Sequence, residues 1–412
     1  MSDIEKLINS FCPNGVEYKK IWEVTIWDKK FQEVEKFKQK EISKYKYMLA
    51  SDFPKLIIDN DLNKSIKNVR IISTGNYDGY TTIEKSGSYI CNGEIVTIPG
   101  GGIANIKYHN GYFVTADNRI CKTINKEILL TKYIYHFFLQ KKDLIQSYFR
   151  GPTIKHPNMK SILEIDIPIP PIKEQEKIVK ILDNFNELTN ELTNELTNRK
   201  KQYEYYRNEL LSFSDDIESE EIQSIFNIRG GYTPSKREIN FWKEGTVPWF
   251  RMEDIRKKGR ILGNAIQLVN KVGIRGKPFK ENSIILATTA TIGEHALITK
   301  QFICNQQFTI FTLKEEFTDT ISIKYLYYFF FIISEWCKNN TKISSFPSVE
   351  IKKLYKINIP VPSIEKQKEI VRILEKFETL VNDISKGLPA EIEASKKQYE
   401  YYRNKLLSFD KE

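Results

Sequence analysis

Two stretches of the chain gather side chains of the kind that read nucleic-acid bases. Arg229-Gly-Gly-Tyr-Thr-Pro-Ser-Lys-Arg237 is a basic turn that offers Lys236 and Arg237. The segment 249–260 adds Arg251, Lys257, Lys258 and Arg260, and the nearby small and amide side chains Thr289, Thr291, Gln306 and Gln307 complete the set. Arginine and lysine can pair with guanine edges, and asparagine and glutamine with adenine edges, in a major groove. The first half of the chain holds a comparable set on polar loops between strand-like runs. Thr74, Asn76, Tyr77 and Tyr80 lie on one loop, and Asn105, Lys107, Tyr108 and Arg119 lie on and after a Gly-Gly-Gly turn. That turn allows close backbone approach but lacks the GK[ST] ending of a phosphate-binding loop. Taken singly, each of these residues could be solvated surface; as clusters they favour contact with DNA.

Catalytic signatures are missing. The chain has no Walker A motif, GxSxG, HExxH, or NPP[FY] motif of the kind that holds an amino group for methylation. Glu174-Gln-Glu-Lys177 resembles a nuclease element, but its recurrence as Glu365-Lys-Gln-Lys368 reads as helix surface charge. Five scattered cysteines form no CxxC, and the four histidines are dispersed, so neither a disulfide framework nor a metal site is expected. The longest apolar run, 325–333, has nine residues, and a bilayer span needs about 20. With no apolar leader at its start, the chain is expected in the cytoplasm, away from membranes.

The elements that must position these clusters come in duplicate. Ile165-Asp-Ile-Pro-Ile-Pro170 recurs as Ile357-Asn-Ile-Pro-Val-Pro362, and 132–138 recurs as 324–330, both at an offset of 192. Further on, 13 of the 14 residues in 200–213 recur in 396–409, at an offset of 196. Each copy is therefore a globular stretch followed by a nearly invariant segment. The invariant segments read as long helices with a narrow apolar stripe. The stripe includes Leu188, Leu192, Leu196, Tyr203, Tyr206 and Leu210 in the first copy, and Phe377, Ile384, Tyr399, Tyr402 and Leu406 in the second. Prolines lead into each helix, and Gly387-Leu-Pro389 is expected to kink or break the second. A narrow stripe needs a partner, and the expected one is the other copy, as an antiparallel pair.

The globular halves show strand-like runs at 88–91, 94–98, 111–115, 283–287 and 307–313, and each ends in an aromatic helix whose rings should be mostly core. The expected fold is α+β: two globular domains of mixed strands and helices, an internal pseudo-two-fold repeat, and two long helices forming an antiparallel coiled coil. Boundaries are expected at 1–164, 165–216, 217–356 and 357–412. Net charge is +10, yet the helical segments 173–213 and 365–405 together are neutral. The excess thus sits on the globular halves and tails, which suits two contacts on one polyanion.

The combination resembles the specificity subunit of type I restriction–modification systems, over nearly the whole chain. The resemblance rests on the two-fold repeat, the Ile-Pro-x-Pro-x-x-x-x-Gln runs at 167–175 and 359–367, the Lys-Lys-Gln-Tyr-Glu-Tyr-Tyr-Arg-Asn helix ends, and Gly231-Tyr-Thr-Pro-Ser-Lys236. The first half has no Gly-x-Thr-Pro counterpart. The resemblance implies that each globular half is a target-recognition domain reading one part of a split double-stranded DNA site. It implies a non-catalytic chain whose helices dock two methyltransferase (modification) subunits, joined by restriction/translocase subunits. S-adenosylmethionine, ATP and Mg would be held by those partners, with no cofactor on this chain. A methyltransferase-only system and a coiled-coil adaptor are the alternatives.

Overall fold

The computed structural model describes residues 12, 14–56, 68–75, 78–214, 216–342, 347–382 and 387–411. Contacts divide the chain into two compact units, Met1–Thr193 with Glu391–Glu412, and Asn194–Ala390. The divide falls inside the first long helix, and the last segment of the chain joins the first unit.

The first unit opens with strand Tyr18–Lys20, antiparallel to Asp166–Pro168. Its main sheet has six strands in the order Thr25–Trp27, Asn118–Thr123, Cys91–Pro99, Lys107–Thr115, Val69–Ile72 and Asp78–Thr81. The sheet curls. Cys91–Pro99 is the long middle strand, paired with Lys107–Thr115 along 91–97 and with Asn118–Thr123 along 96–99. The amide of Asn118 reaches round to the carbonyl of Ile72 at 3.2 Å. Inside the curl, Ile72, Ile95, Phe113 and Ile120 pack together without solvent contact. The run at 88–91 is not the strand its composition suggests: Gly87–Tyr89 is a 3₁₀ turn, with Gly87 at φ 50°, and the strand begins at Cys91.

Helix α1 (Thr131–Gln140) lays Tyr133, Ile134, Phe137 and Phe138 on the core. Helix α2 (Ile172–Leu210) contributes Ile178 and Leu182 to it. The expected aromatic core of α1 is thus observed. Leu406 and Leu407, from the far end of the chain, are buried in the same core. Val16 N donates to Asp410 O at 3.0 Å, and Tyr18 OH to Phe409 O at 2.7 Å, so the two ends of this unit are bonded to each other.

The second unit repeats the frame. Ser219–Glu221 pairs with Asn358–Pro360. Helix α3 (Ile323–Asn339) buries Tyr325, Tyr327, Tyr328 and Phe330, while helix α4 (Ile364–Asn382) supplies Ile370 and Leu374. Tyr203 and Leu211, at the end of the first copy, complete this core. The sheet differs from that of the first unit. Five strands run in the order Phe226–Gly230, Phe308–Leu313, Ser283–Ala287, His295–Ile298 and Ile261–Leu262, beside a separate sheet of Gln267–Val269, Val247–Phe250 and Ile303–Cys304.

The second copy's helical segment is broken where expected. Helix α4 ends at Asn382 and helix α5 (Leu388–Leu406) begins just after Gly387, whose φ of 68° is left-handed and cannot continue a helix. Within the first unit, α5 lies antiparallel to α2. Phe185 stacks on Tyr402 (5.3 Å between ring centroids) and the Thr189 hydroxyl meets Ser395 Oγ at 2.8 Å, so rising numbers on one helix oppose falling numbers on the other. Within the second unit the symmetric stack, Tyr206 on Phe377, lies at 5.9 Å. Among the described residues, no helix is long and apolar enough to cross a membrane.

Candidate nucleic-acid interface

The second unit's candidate residues meet at one end of its five-stranded sheet because the register brings three loops there. Gly230 pairs with Thr309, Ala287 with Phe308, and Leu286 with His295, so the loops 231–237, 288–294 and 304–307 leave from the same end. Backbone bonds lock them together: Gly231 N to Phe308 O (2.8 Å), Tyr232 N to Cys304 O (2.8 Å) and Thr288 N to Gln307 O (3.0 Å). Gly231 is required at this junction, since a Cβ there would stand 2.2 Å from the Asn305 carbonyl oxygen. Thr233 donates its hydroxyl to Gln306 Oε1 at 2.7 Å, and Asn305 Nδ2 donates to Gln307 Oε1 at 3.0 Å. Both glutamines are thereby oriented, the first exposed and the second half-buried.

Trp249 organises the cations of this end. Its ring is met by Arg251 at 5.1 Å, by Lys236 at 6.0 Å and by the edge of Trp242 at 4.9 Å. Trp242 in turn donates its indole N–H to Ser235 O at 2.9 Å, tying the basic turn down. Lys236, Arg251 and Gln306 thus share one surface.

The structure divides the remaining cations of 249–260 from that surface. Arg251 and Lys257 both pair with Glu253, at 3.2 and 2.7 Å. Lys258 donates to Asn264 O at 3.3 Å. Arg260 pairs with Glu294 at 2.6 Å and donates to His295 O at 2.9 Å. Together with Thr291 and Glu378, Arg260 lines a separate cavity of about 770 Å³. Thr289 is held by a backbone bridge to Ser348. The four candidate cations of 249–260 therefore do not act as one cluster: Arg251 stays beside Trp249 while pairing with Glu253, and Lys257 and Arg260 are held by Glu253 and Glu294.

What the sequence reading missed is the run Lys271-Val-Gly-Ile-Arg-Gly-Lys277, whose signal was three cations with no acidic residue among them. It packs against the basic turn through two facing 3₁₀ turns, Ile239–Phe241 and Lys271–Gly273. Arg275 lies 5.7 Å from the Tyr232 ring, and its backbone N–H donates to Tyr232 OH at 3.0 Å.

In the first unit the curl of the sheet gathers the candidate loops. Asn105 Nδ2 donates to Gly75 O at 2.6 Å, Lys107 Nζ to Ser73 O at 2.8 Å, and Gly100 N to Asp117 O at 2.7 Å. Thr74 therefore lies beside Asn105, and Arg119 is nearby but paired with Asp117 at 2.6 Å. Lys107 departs from its expected role. At 6% exposure it is a strut inside the loop bundle, because the curl closes over it. Tyr80 is exposed on the edge strand. Asn76 and Tyr77, like Ile384 of the helix stripe, lie outside the described residues.

Tyr108 donates to Glu94 Oε1 at 2.9 Å and, with Arg70, Asn105 and Lys107, faces Asp183, Asn186 and Asn190 of α2 across a cleft of about 390 Å³. On that helix Asp183 accepts from Lys132 (2.6 Å) and His136 (3.1 Å). Burial disfavours the Asp183 charge, but those two bonds hold its carboxyl below the usual range. Burial also pushes the His136 imidazole below its ordinary value, against the pull of Asp183.

Each sheet is fixed to its long helix by one buried amide. Gln175 Oε1 accepts from Leu130 N (2.9 Å), and its Nε2 donates to Ile128 O and Pro170 O (both 2.8 Å). Gln367 makes the same three bonds, from Ser322 N (2.8 Å) and to Thr320 O (2.9 Å) and Pro362 O (2.8 Å). This accounts for the glutamine of the repeated Ile-Pro-x-Pro-x-x-x-x-Gln run: it joins the proline lead-in, the first turn of the helix and the loop before the aromatic helix.

Of the expected stripe, Tyr203, Tyr399 and Leu406 are buried, and Leu196, Leu210, Phe377 and Tyr402 are packed against a core. Leu192 is half-buried. Leu188 (44% exposed) and Tyr206 (47%) are more open than a continuous seam would have them.

A family model described as the type I restriction modification DNA specificity domain matches residues 32–201 and again 214–394. The chain belongs to this family of specificity subunits. Its function is recognition of a DNA target in a type I system. The specificity subunit is 37% identical over 305 residues to the EcoR124I/EcoR124II specificity subunit of Escherichia coli, covering 70% of this chain and 72% of that one. It is 47% identical over 202 residues to the EcoprrI specificity subunit of Escherichia coli, covering 47% of this chain and 50% of that one, so the match spans half of that relative's length. Two solved structures share its fold. The type I system S subunit of M. genitalium superposes with a TM-score of 0.53 at 15% identity, covering 99% of both chains. A chain from a study of complex assembly and conformational transition of the type I system gives 0.60 at 11% identity, covering 97% of this chain and 98% of that one.

Proposed function

We propose that this specificity subunit directs a type I complex to a split double-stranded DNA target, each unit reading one half. The observation that carries this reading is the contrast between a repeated frame and unlike sheets. The glutamine latch, the ion pair to the long helix and the aromatic stack occur twice, while the loops at the sheet ends differ in length, composition and topology. Two readers on one frame suit two unlike half-sites.

In this reading the chain recognises and does not catalyse. S-adenosylmethionine, ATP and Mg belong to two methyltransferase subunits and to restriction/translocase subunits that assemble on the helices. Neutral helices suit protein docking, and basic globular parts suit DNA.

Replacing residues 217–356 by the matching region of a relative should change one half-site and leave the other untouched, read by mapping methylated positions across a genome. Simultaneous change of both halves would refute the assignment of one half-site per unit.

A further inference from the structure

The tip formed by the facing turns 239–241 and 271–273 presents two apolar side chains almost fully to solvent, Ile239 at 75% and Val272 at 68%. Single exposed aliphatics are ordinary. These two sit on a braced base. Asn270 N donates to Phe241 O (2.8 Å), Asn270 Nδ2 to Lys243 O (3.2 Å), and Val272 N to Asn270 Oδ1 (3.2 Å). Gly273 packs so closely that a Cβ would stand 2.8 Å from that of Phe241. Beneath lies a small core of Trp249, Val269 and Ile303, with Tyr232, Trp242 and Ile274 packed on it.

The surroundings of the tip are mainly cationic, six cations against the two exposed carboxylates Glu238 and Glu244. Lys236, Arg237, Lys243, Lys271, Arg275 and Lys277 are all exposed, and none makes an ion pair among the described residues. Segment 270–280 contains no acidic residue. Other cations of this unit do pair with carboxylates, Arg260 with Glu294, Lys257 with Glu253, Lys280 with Glu315, Lys324 with Glu375 and Lys338 with Glu335, while Arg256, Lys300, Lys352 and Lys356 make no ion pair among the described residues. What sets the tip apart is that six unmatched cations gather around two exposed aliphatics. An apolar tip inside a ring of unmatched cations is the complement of a duplex, whose apolar base stack lies between two rows of phosphates. Apolar side chains used in this way press between base steps and kink DNA, at an unstacking cost of a few kcal/mol that the added backbone contacts offset.

We propose that Ile239 and Val272 form a wedge that enters the base stack at or beside the half-site read by the second unit, with the surrounding cations on the flanking phosphates. The proposal rests on the DNA-reading role assigned to that unit, and deepens it: recognition there includes a deformation of the duplex, which selects easily unstacked steps without hydrogen bonds to them.

The test uses the full-length chain assembled with its methyltransferase subunits and a duplex bearing the mapped target. 2-Aminopurine is placed in turn at each step in and around the half-site, and paired dyes at the ends report bending. The native complex should raise 2-aminopurine fluorescence at one or two adjacent steps and bend the duplex. Ile239→Ala with Val272→Ala should abolish both signals, weaken binding by about tenfold, and relax the preference at the unstacked step while the other positions of the methylated sequence stay the same. Because both side chains are exposed, the variant should keep its melting temperature. Lys271→Gln with Lys277→Gln should lower the slope of log affinity against log salt by about two. A native complex with no unstacked step, or a double alanine variant that keeps the signal, overturns the wedge. A variant that binds DNA normally but no longer assembles with the methyltransferase also overturns it and makes the tip a protein-docking face. A native complex that binds no duplex at all would refute the DNA-reading role, and the wedge with it.

Discussion

In the first unit Gln175 ties a proline lead-in, a helix start and a loop with three bonds, and in the second unit Gln367 makes the same three. Lys132 pairs with Asp183 at 2.6 Å, and Lys324 with Glu375 at 2.6 Å. Phe185 stacks on Tyr402, and Tyr206 stacks on Phe377. The sheets held by these features part company at once: six curled strands in one unit, five strands beside three in the other. Even the first reading loop has no counterpart. Thr25–Trp27 follows helix Ile21–Val24 as Phe226–Gly230 follows Ile222–Ile225, but Asp28-Lys29 stands where Gly231-Tyr232 begins the basic turn. The comparison teaches that the bonds between sheet and helix are kept as a fixed mount, while the surface mounted on it is free to change. The stack has a further lesson. Each aromatic pair joins one copy's helix to the other copy's, so each core is finished by a segment 196 residues away from its own equivalent.

The most damaging way to break the equivalence is at the latch. Both glutamine side chains are fully buried. Gln175→Ala would leave the buried Pro170 carbonyl and the part-buried Leu130 N–H and Ile128 carbonyl without the bonds they make to it, and Gln367→Ala the equivalent groups in the second unit. At about 1 to 3 kcal/mol for each group left unsatisfied, each substitution should cost roughly 3 kcal/mol or more. Denaturant unfolding of both variants should give similar losses. A large loss for one and none for the other would show that the two mounts, alike in their bonds, differ in what they support.

Much of this frame was readable from the sequence because its signals are local or duplicated. The repeat, the proline lead-ins, the apolar stripe, the break at Gly387 and the glutamine of the lead-in motif all rest on residue type and spacing. The reading surfaces were less legible. That Lys107 is buried follows from the curl of a sheet whose strands are far apart in sequence, and that Arg260 is neutralised follows from Glu294, 34 positions away. Lys271, Arg275 and Lys277 gain their meaning only from making no ion pair among the described residues, which is a fact of tertiary structure. A cation's availability depends on its tertiary partners, which composition does not record.

A smaller effect sharpens the comparison through pH. Each unit buries one histidine at its aromatic helix, His136 on the helix itself and His295 on a strand packed against it, in different settings. His295 is held well below its ordinary range by burial and by the Arg260 charge, with Ser334 Oγ at 2.8 Å from its Nδ1. His136 is lowered by burial, with Asp183 opposing the shift. For both, the folded state binds its proton more weakly than the unfolded state does, whose value is about 6.5. Stability is therefore intact above about pH 6.5 and declines as pH falls toward each folded value, by at most about 1.4 kcal/mol per pH unit for each histidine. His295→Phe should flatten the loss of stability between pH 7 and 5 more than His136→Phe does. Equal slopes in the two variants would mean that Asp183 gives His136 no protection.

The smallest change in energy tests the geometry. Residues 186–197 read Asn-Glu-Leu-Thr three times, and the divide between the two units, after Thr193, falls within this tract. The tract is uninterrupted helix, and Thr189 and Thr193 donate their hydroxyls to the carbonyls of Phe185 and Thr189, at 2.8 and 2.7 Å. Four residues amount to about 6 Å of rise and about 400° of rotation, only 40° beyond a full turn. Removing Asn194 to Thr197 therefore nearly preserves the apolar stripe, as a stutter does in a coiled coil, and stability should change by little. The effect should appear in the target instead. With DNA rising about 3.4 Å per base pair, the unspecified spacer should shorten by one to two base pairs. Both half-sites should be unchanged, because no reading loop moves within its own unit. Methylation mapping of the deletion checks both points. An active variant with the original spacer would show that the length of this helix does not set the distance between the readers.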